Sequence, residues 1–190
     1  MRALPVFSSV AFAFALVTSV AASASAAESE APKKATLGAD LAVALPVGNF
    51  SDAAGIGFGG LVRFDYRVID TVSVGGRAGY IFHLGKDLPG GGSVGLSEAP
   101  IFGAVRYHFL GAAADGPYAA LELGPVLLFG RGTSNGVSVS SSDTKFGGTL
   151  TGGYRLGAVD LRAGLLMLDL GHLGDSLSIA LGAGYTFAAF

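Results

Sequence analysis

The chain has 190 residues, 31 of them glycine, with no cysteine and no tryptophan; 51% are hydrophobic, 14% charged, and the formal net charge is −2. Glycine stands at about twice its usual share and charge well below the ~25% of a typical soluble domain. That balance excludes a disulfide scaffold, a coiled coil and a solvated disordered tail, and twelve Lys+Arg against fourteen Asp+Glu leave no positive surplus for nucleic acid.

Residues 1–27 open with Arg2, continue through an uncharged apolar stretch that includes Val6, Phe12, Phe14, Leu16 and Val20, and then turn small from Ala21 to Ala27. Ala24-Ser25-Ala26 is an A-x-A cleavage pattern followed by the polar Glu28-Ser29-Glu30. The layout predicts a cleaved secretory signal peptide over 1–27, a short periplasmic segment over 28–35 and one domain over 36–190. With no cysteine near the cut, a lipoprotein anchor is excluded.

No later run approaches the ~20 apolar residues of a transmembrane helix. Instead, short segments alternate bulky apolar residues with small or polar ones, the period of a β-strand. Eight are expected: Thr36–Leu45, Ile56–Val68, Val72–Leu84, Ala99–Phe109, Tyr118–Gly130, Lys145–Leu156, Val159–Leu168 and Ser176–Phe187. Their apolar face carries Leu37, Leu41 and Val43 in the first and Leu177, Ile179 and Leu181 in the last. The opposite face collects the strand charges: Asp40; Arg63, Asp65 and Arg67; Arg77 and His83; Glu98, Arg106 and His108; Glu122; Lys145 and Arg155; Asp160 and Arg162. It is also rich in glycine, from Gly57 and Gly59 to Gly182 and Gly184.

A soluble barrel would turn the apolar face inward; a transmembrane barrel turns it to lipid, where each mid-bilayer Arg costs roughly 2–4 kcal/mol. Solvated strand faces favour Lys, Glu and Thr, whereas this polar face mixes Arg and Asp with glycine. That mixture suits the lumen of an eight-stranded barrel, which its own side chains must fill. Rings on the apolar face sort into two groups. Phe64, Tyr66, Tyr107, Phe109, Tyr154, Tyr185 and Phe187 lie near the ends of even strands, at one rim. Phe58, Phe146, Tyr80, Phe82 and Phe129 lie at the other. Two such girdles around an aliphatic band mark the two membrane interfaces.

Odd-to-even connections (46–55, 85–98, 131–144 and 169–175) are longer than the even-to-odd turns 69–71 and 157–158, as expected for external loops and periplasmic turns. Leu110–Pro117 is long for a periplasmic turn. Asn135-Gly136 favours a type I′ hairpin, which predicts that the fifth and sixth strands rise beyond the bilayer. The expected fold is therefore all-β, an eight-stranded antiparallel up-and-down transmembrane β-barrel.

Several stretches carry a family likeness: Leu45-Pro46-Val47-Gly48-Asn49-Phe50, Gly55-Ile56-Gly57-Phe58-Gly59, Arg63-Phe64-Asp65-Tyr66-Arg67, Arg77-Ala78-Gly79-Tyr80 and Gly182-Ala183-Gly184-Tyr185-Thr186-Phe187. Through them the chain from Leu37 to Phe187 resembles the small outer-membrane β-barrel domain family, the group of OmpA-like and opacity-type barrels. The resemblance implies outer-membrane residence, contact with lipid and lipopolysaccharide, and a final aromatic read by the barrel-assembly machinery. Tyr185-Thr186-Phe187 fits that signal, yet Ala188-Ala189-Phe190 follows. Either the last strand extends to Phe190 with shifted parity, or the three residues follow it as a tag.

Chemistry is sparse. Gly55-Ile56-Gly57-Phe58-Gly59-Gly60 resembles a dinucleotide loop but leads into a strand, not a helix. Gly90-Gly91-Gly92 lacks the Lys-Ser/Thr of a P-loop. His83, His108 and His172, without cysteine, have no metal-ligand spacing. The sharpest catalytic candidate is His172, Asp175 and Ser176, which would need mutual contact to activate the serine. The His-and-Ser pair of the family's lipid A deacylases, two residues apart on one strand, is absent.

The strongest constellation is the inward charge set. Asp40, Asp65, Glu98, Glu122 and Asp160 face Arg63, Arg67, Arg77, Arg106, Lys145, Arg155 and Arg162, a two-charge excess of bases. Counting rise from each strand's periplasmic end places Asp40, Arg63, Asp65, Arg77, Arg106, Glu122 and Arg162 in the lower half of the lumen. Unpaired charges in a lumen cost several kcal/mol each, so pairing is expected. The set reads as a structural plug or, given the excess, as the lining of a narrow anion-preferring pore. These features together predict a non-enzymatic outer-membrane barrel with a structural or surface-interaction role, without cofactor or metal, whose loops meet an external ligand. A small-solute pore and a lipid-modifying hydrolase are the alternatives.

Overall fold

The computed structural model describes residues 33–87, 92–134 and 137–190. The expected signal peptide, the segment 28–32, Gly90-Gly91 and the Asn135-Gly136 turn lie outside the described residues. Nine strands follow in order: β1 (Ala35–Pro46), β2 (Gly57–Ile69), β3 (Val72–His83), β4 (Lys86–Asp87), β5 (Ser93–His108), β6 (Gly116–Ser134), β7 (Val137–Leu156), β8 (Val159–Met167) and β9 (Leu177–Ala189). One helical turn, α1 (Phe50–Ala53), interrupts the first external loop. Among the described residues no helix is long and apolar enough to cross a membrane.

All pairings are antiparallel, and β9 pairs back onto β1, so eight strands close a ring; two-residue β4 pairs only with β5. The paired residues run once round the ring from Leu37 through Phe64, Gly76, Gly103, Leu123, Gly148, Met167 and Leu177. The path returns to the first strand's end at Val47, one residue past β1 and ten residues on from its start. That stagger tilts the strands and encloses a lumen just wide enough for side chains. Alternation then sets the two sides: Leu41 is 64% exposed on the outer face, while its neighbour Asp40 is buried.

Three expected boundaries shift. β5 begins at Ser93 rather than Ala99, β6 runs from Gly116 to Ser134, and β7 begins at Val137 rather than Lys145. Main-chain pairing continues through these outer stretches, from Ser93↔Thr133 to Ser134↔Val137. Beyond the lipid no apolar face is required, so hydroxyl and glycine residues hide the strand period there. The tall sheet that results stands above the rest of the rim.

At the closing seam β9 carries a bulge. Thr186 pairs with Gly38 but Ala188 with Leu37, which leaves Phe187 without a partner. Pairing resumes through two bonds between Ala35 and Phe190, at 2.8 and 2.9 Å. The strand thus continues with shifted parity, and Phe190 returns to the lipid side.

The long turn 110–115 also has a structural reason. The Arg155 guanidinium donates to the carbonyls of Ala112 and Ala114, the Ala112 N–H reaches Asp70 O, and Asp115 accepts from Gly157 N–H at 2.6 Å. The segment is tied to the turns on both sides. Gly157 itself has φ +60, the left-handed conformation that lets residues 157–158 reverse the chain.

Candidate functional site

The lumen is filled in two layers, because each contributing strand places a charge nearer the periplasm and an apolar side chain of the same parity further out. Arg63 is followed outward by Leu61, Arg77 by Ile81, Arg106 by Phe102, Glu122 by Val126 and Arg162 by Leu166. All ten side chains are buried.

In the lower layer Asp40 meets Arg77 Nε at 2.9 Å, Arg162 Nη2 at 3.2 Å and Arg63 Nη1 at 3.6 Å. Glu122 faces Arg77 at 3.2 Å and Arg162 at 3.9 Å. Asp160 meets Arg162 at 2.9 Å, Arg63 at 3.2 Å and Arg106 at 3.5 Å. Asp65 completes the chain of contacts with Arg63 at 3.1 Å and Arg106 at 3.6 Å. Four carboxylates and four guanidiniums make a neutral set in which every carboxylate touches at least two arginines. Tyr118, which sequence reasoning passed over, donates its hydroxyl to Asp160 at 2.6 Å and lies 4.3 Å under the Arg106 guanidinium. Glycine makes this density possible: a methyl group on Gly184 would collide with Asp40 Oδ1, and one on Gly153 with the Tyr118 ring.

The remaining expected members sit elsewhere. Arg67 and Arg155 are at the periplasmic rim, half-buried, donating to main-chain carbonyls of Lys33 and of Ala112 and Ala114. Lys145 is at the outer mouth with Asp143 at 3.1 Å and Asp169 at 3.6 Å. Glu98 contacts His83 instead of an arginine. The two-charge excess of bases therefore disappears within the lumen, and with it the electrostatic basis of an anion-preferring lining. Parity grouped all twelve on one face. Counting rise along the strands separated Asp40, Arg63, Asp65, Arg77, Arg106, Glu122 and Arg162 as the lower set, but omitted Asp160 and did not show which charges pair.

Above the charges lies an apolar layer of Leu61, Ile81, Phe102, Val126, Leu166 and Leu168, capped by Phe50 from α1 and by Ala54. A cavity of about 30 Å³ near the junction of the layers, lined by Arg77, Arg162, Leu61 and Phe102 among others, has room for a water or two. Sequence reasoning missed the apolar layer; the signal that could have found it is the failure of alternation in Tyr80-Ile81-Phe82 and Val126-Leu127-Leu128-Phe129. Both faces are apolar there because one meets lipid and the other the lumen.

On the outer surface the rings stand in two bands separated by aliphatic residues such as Val62, Leu121, Leu150 and Leu181. Phe64, Tyr66, Tyr107, Phe109, Tyr154 and Tyr185 lie toward the periplasmic end, with half-buried Phe187 beside them; Phe58, Tyr80, Phe82, Phe129 and Phe146 lie toward the outer end. Phe58 and Phe82 pair across β2 and β3, centroids 6.1 Å apart.

The His172, Asp175 and Ser176 candidates do not come together. Ser176 Oγ lies 2.9 Å from the carbonyl oxygens of both Asp169 and His172, His172 Nδ1 faces Asp169 at 3.2 Å, and Asp175 accepts from Asn49 Nδ2 at 2.9 Å. The Gly171 N–H, together with His172, holds the Asp169 carboxyl below the usual carboxylate range. These bonds build a loop rather than an activated serine. Among the described residues no group of three or more His, Asp or Glu is arranged to hold a metal.

No protein-family model matches the sequence, and no curated protein matches it. Solved structures do. The Yersinia pestis attachment invasion locus protein Ail is similar over 82% of this chain and 99% of its own, with a TM-score of 0.55 and 14% identity. The same protein in complex with the heparin analogue sucrose octasulfate gives 0.54 and 16%, over 82% of this chain and 97% of that one. The N-terminal β-barrel domain of Pseudomonas aeruginosa OprF gives 0.52 and 12%, over 82% of this chain and 98% of that one. The fold is that of the small eight-stranded outer-membrane barrels.

Proposed function

We propose that this chain is exported by residues 1–27 acting as a signal peptide, and that it serves in the outer membrane as a non-enzymatic barrel working through its outer surface. The observation that carries this reading is the stacked filling of the lumen. A neutral layer of eight paired charges lies beneath a mainly apolar layer that also holds the buried His83, Glu98 and Ser178. Ions crossing such a barrel would have to break buried pairs and then enter a largely apolar, close-packed stretch, each at a cost of several kcal/mol. The charged residues are in this reading structural: they hold the wall together from inside and conduct nothing.

The surface left for partners is the tall sheet of β5, β6 and β7, where Thr133, Ser134 and the Ser- and Thr-rich residues 137–144 are exposed. Its hydroxyls suit the sugar layer of lipopolysaccharide and an uncharged, hydrogen-bonding external ligand. Planar-bilayer recording tests the closed lumen: the folded protein is expected to leave the bilayer silent, and discrete conductance steps would overturn the reading in favour of a pore.

A further inference from the structure

One ionisable pair stands apart from the charged layer, inside the apolar filling. His83, the last residue of β3, and Glu98 of β5 have solvent-inaccessible side chains, with Nε2 3.5 Å from Oε2. On the other edge of the ring, His83 Nδ1 lies 2.8 Å from the carbonyl oxygen of Gly55, in the segment joining α1 to β2. Phe50 of α1 packs edge-on against the imidazole, centroids 5.7 Å apart at 70°. Neither carboxylate oxygen of Glu98 has a hydrogen-bond partner. His83 is thus one of the ties between the first external loop and the barrel wall, and it is the one made by a buried titratable side chain. Beside it stand the bonds of Lys86 to Ser51 O, of Asn49 to Asp175 and of Gly55 and Ile56 to the Leu84 main chain.

Of the other ionisable groups on the outer parts of the adjoining elements, Asp52 on α1, Asp87 on β4 and Arg131 on β6 are exposed, Lys86 on β4 donates to Ser51 O, and Lys145 on β7 pairs with Asp143 and Asp169.

Proton counting fixes what this geometry requires. A carbonyl only accepts, so Nδ1 carries a hydrogen. A bare Nε2 lone pair facing an ionised carboxylate would be repulsive, and two protons would leave a net positive charge in apolar surroundings. One shared proton, as imidazolium–carboxylate or imidazole–carboxylic acid, is the state that keeps the pair neutral and attractive. We propose that His83 and Glu98 form a one-proton site that latches the first external loop over the outer mouth, and that the latch opens when the pair loses that proton or gains a second.

When the loop lifts, both side chains meet water and titrate near ordinary values, about 4.3 for Glu and about 6.5 for His. Between these values the open form carries one proton, as the closed form does, and pH favours neither. Above ~6.5 the open form carries fewer protons than the closed one, so raising the pH favours opening. Below ~4.3 it carries two against one, so lowering the pH favours opening. Each pH unit beyond either edge multiplies the ratio of open to closed by about ten.

The chain has no cysteine, so a single introduced thiol reports on the loop. Ala54→Cys places one beside Gly55 at a position 4% exposed, and Ala53→Cys places another at an exposed position. The ratio of their reaction rates with a water-soluble methanethiosulfonate cancels the thiol's own titration. Measured on the folded full-length protein in detergent micelles from about pH 3 to about pH 9, this ratio is expected to be lowest between the two edges and to rise on both sides. Glu98→Gln should abolish the alkaline arm and keep an acid arm beginning near ~6.5; His83→Gln should abolish the acid arm and keep an alkaline arm beginning near ~4.3. Heat-dependent gel migration reports whether each variant folds, and either one alone tests its own arm. A flat ratio in the parent, or a folded variant that keeps both arms, overturns the latch.

Discussion

Asp40 receives three guanidiniums, from Arg63, Arg77 and Arg162, which reach it from three different strands. Asp40→Asn keeps the side-chain shape but leaves four buried arginines facing three carboxylates. Breaking a buried pair this way costs on the order of 3–5 kcal/mol, so urea unfolding in detergent, followed by gel migration, should show a loss of that size. A change within experimental error would mean that the arginines re-pair or hydrate freely. At this scale the sequence told much: parity alone put Asp40, Arg63, Arg77 and Arg162 on the lumen side. It could not pair them, and it gave no sign that Tyr118 serves as the hydroxyl partner of Asp160. That role depends on Gly153 lying opposite Tyr118 across β6 and β7, leaving room for the ring.

At the element scale, β9 is where sequence left two outcomes open. The bulge at Phe187 resolves them by carrying the strand on to Phe190, whose two main-chain bonds to Ala35 close the seam. If the assembly machinery reads an aromatic on the lipid side of the last strand, deleting 188–190 removes both the seam bonds and the terminal ring. The folded fraction in outer membranes, read by gel migration, should fall several-fold, whereas Phe187→Ala should matter less; equal effects would argue that Phe187 is the ring being read. The outward rise of β6 and β7 was legible only from Asn135-Gly136, and the bounds of their outer parts and the early start of β5 were not, for a different reason. A strand announces itself by period two only where one face meets something apolar. From Ser138 to Ser142 neither lipid nor core is in contact, so hydrogen bonding alone holds the strand.

For the whole molecule, the external surface carries Asp52, Asp87, Asp143, Asp169 and Asp175 against Lys86, Arg131 and Lys145. This charge balance opposes polyanions such as heparin. Lys86 and Lys145 are moreover already engaged, by Ser51 O and by two aspartates. The folded protein should therefore pass through immobilised heparin at physiological ionic strength, where charges further apart than ~8 Å are screened. Firm retention would relocate the functional surface to a basic patch formed by other means.

What the sequence by itself determined is a barrel with a lipid side, a lumen side and two aromatic rims. Each strand crossing a bilayer has to present those sides locally, residue by residue, and local pattern is what a sequence displays. What only the tertiary structure decided is which of the lumen residues pair with one another. The neutral closure of the charge layer and the meeting of His83 with Glu98 follow from the ten-residue stagger around the ring. That stagger belongs to no single strand; it is set when β9 closes onto β1.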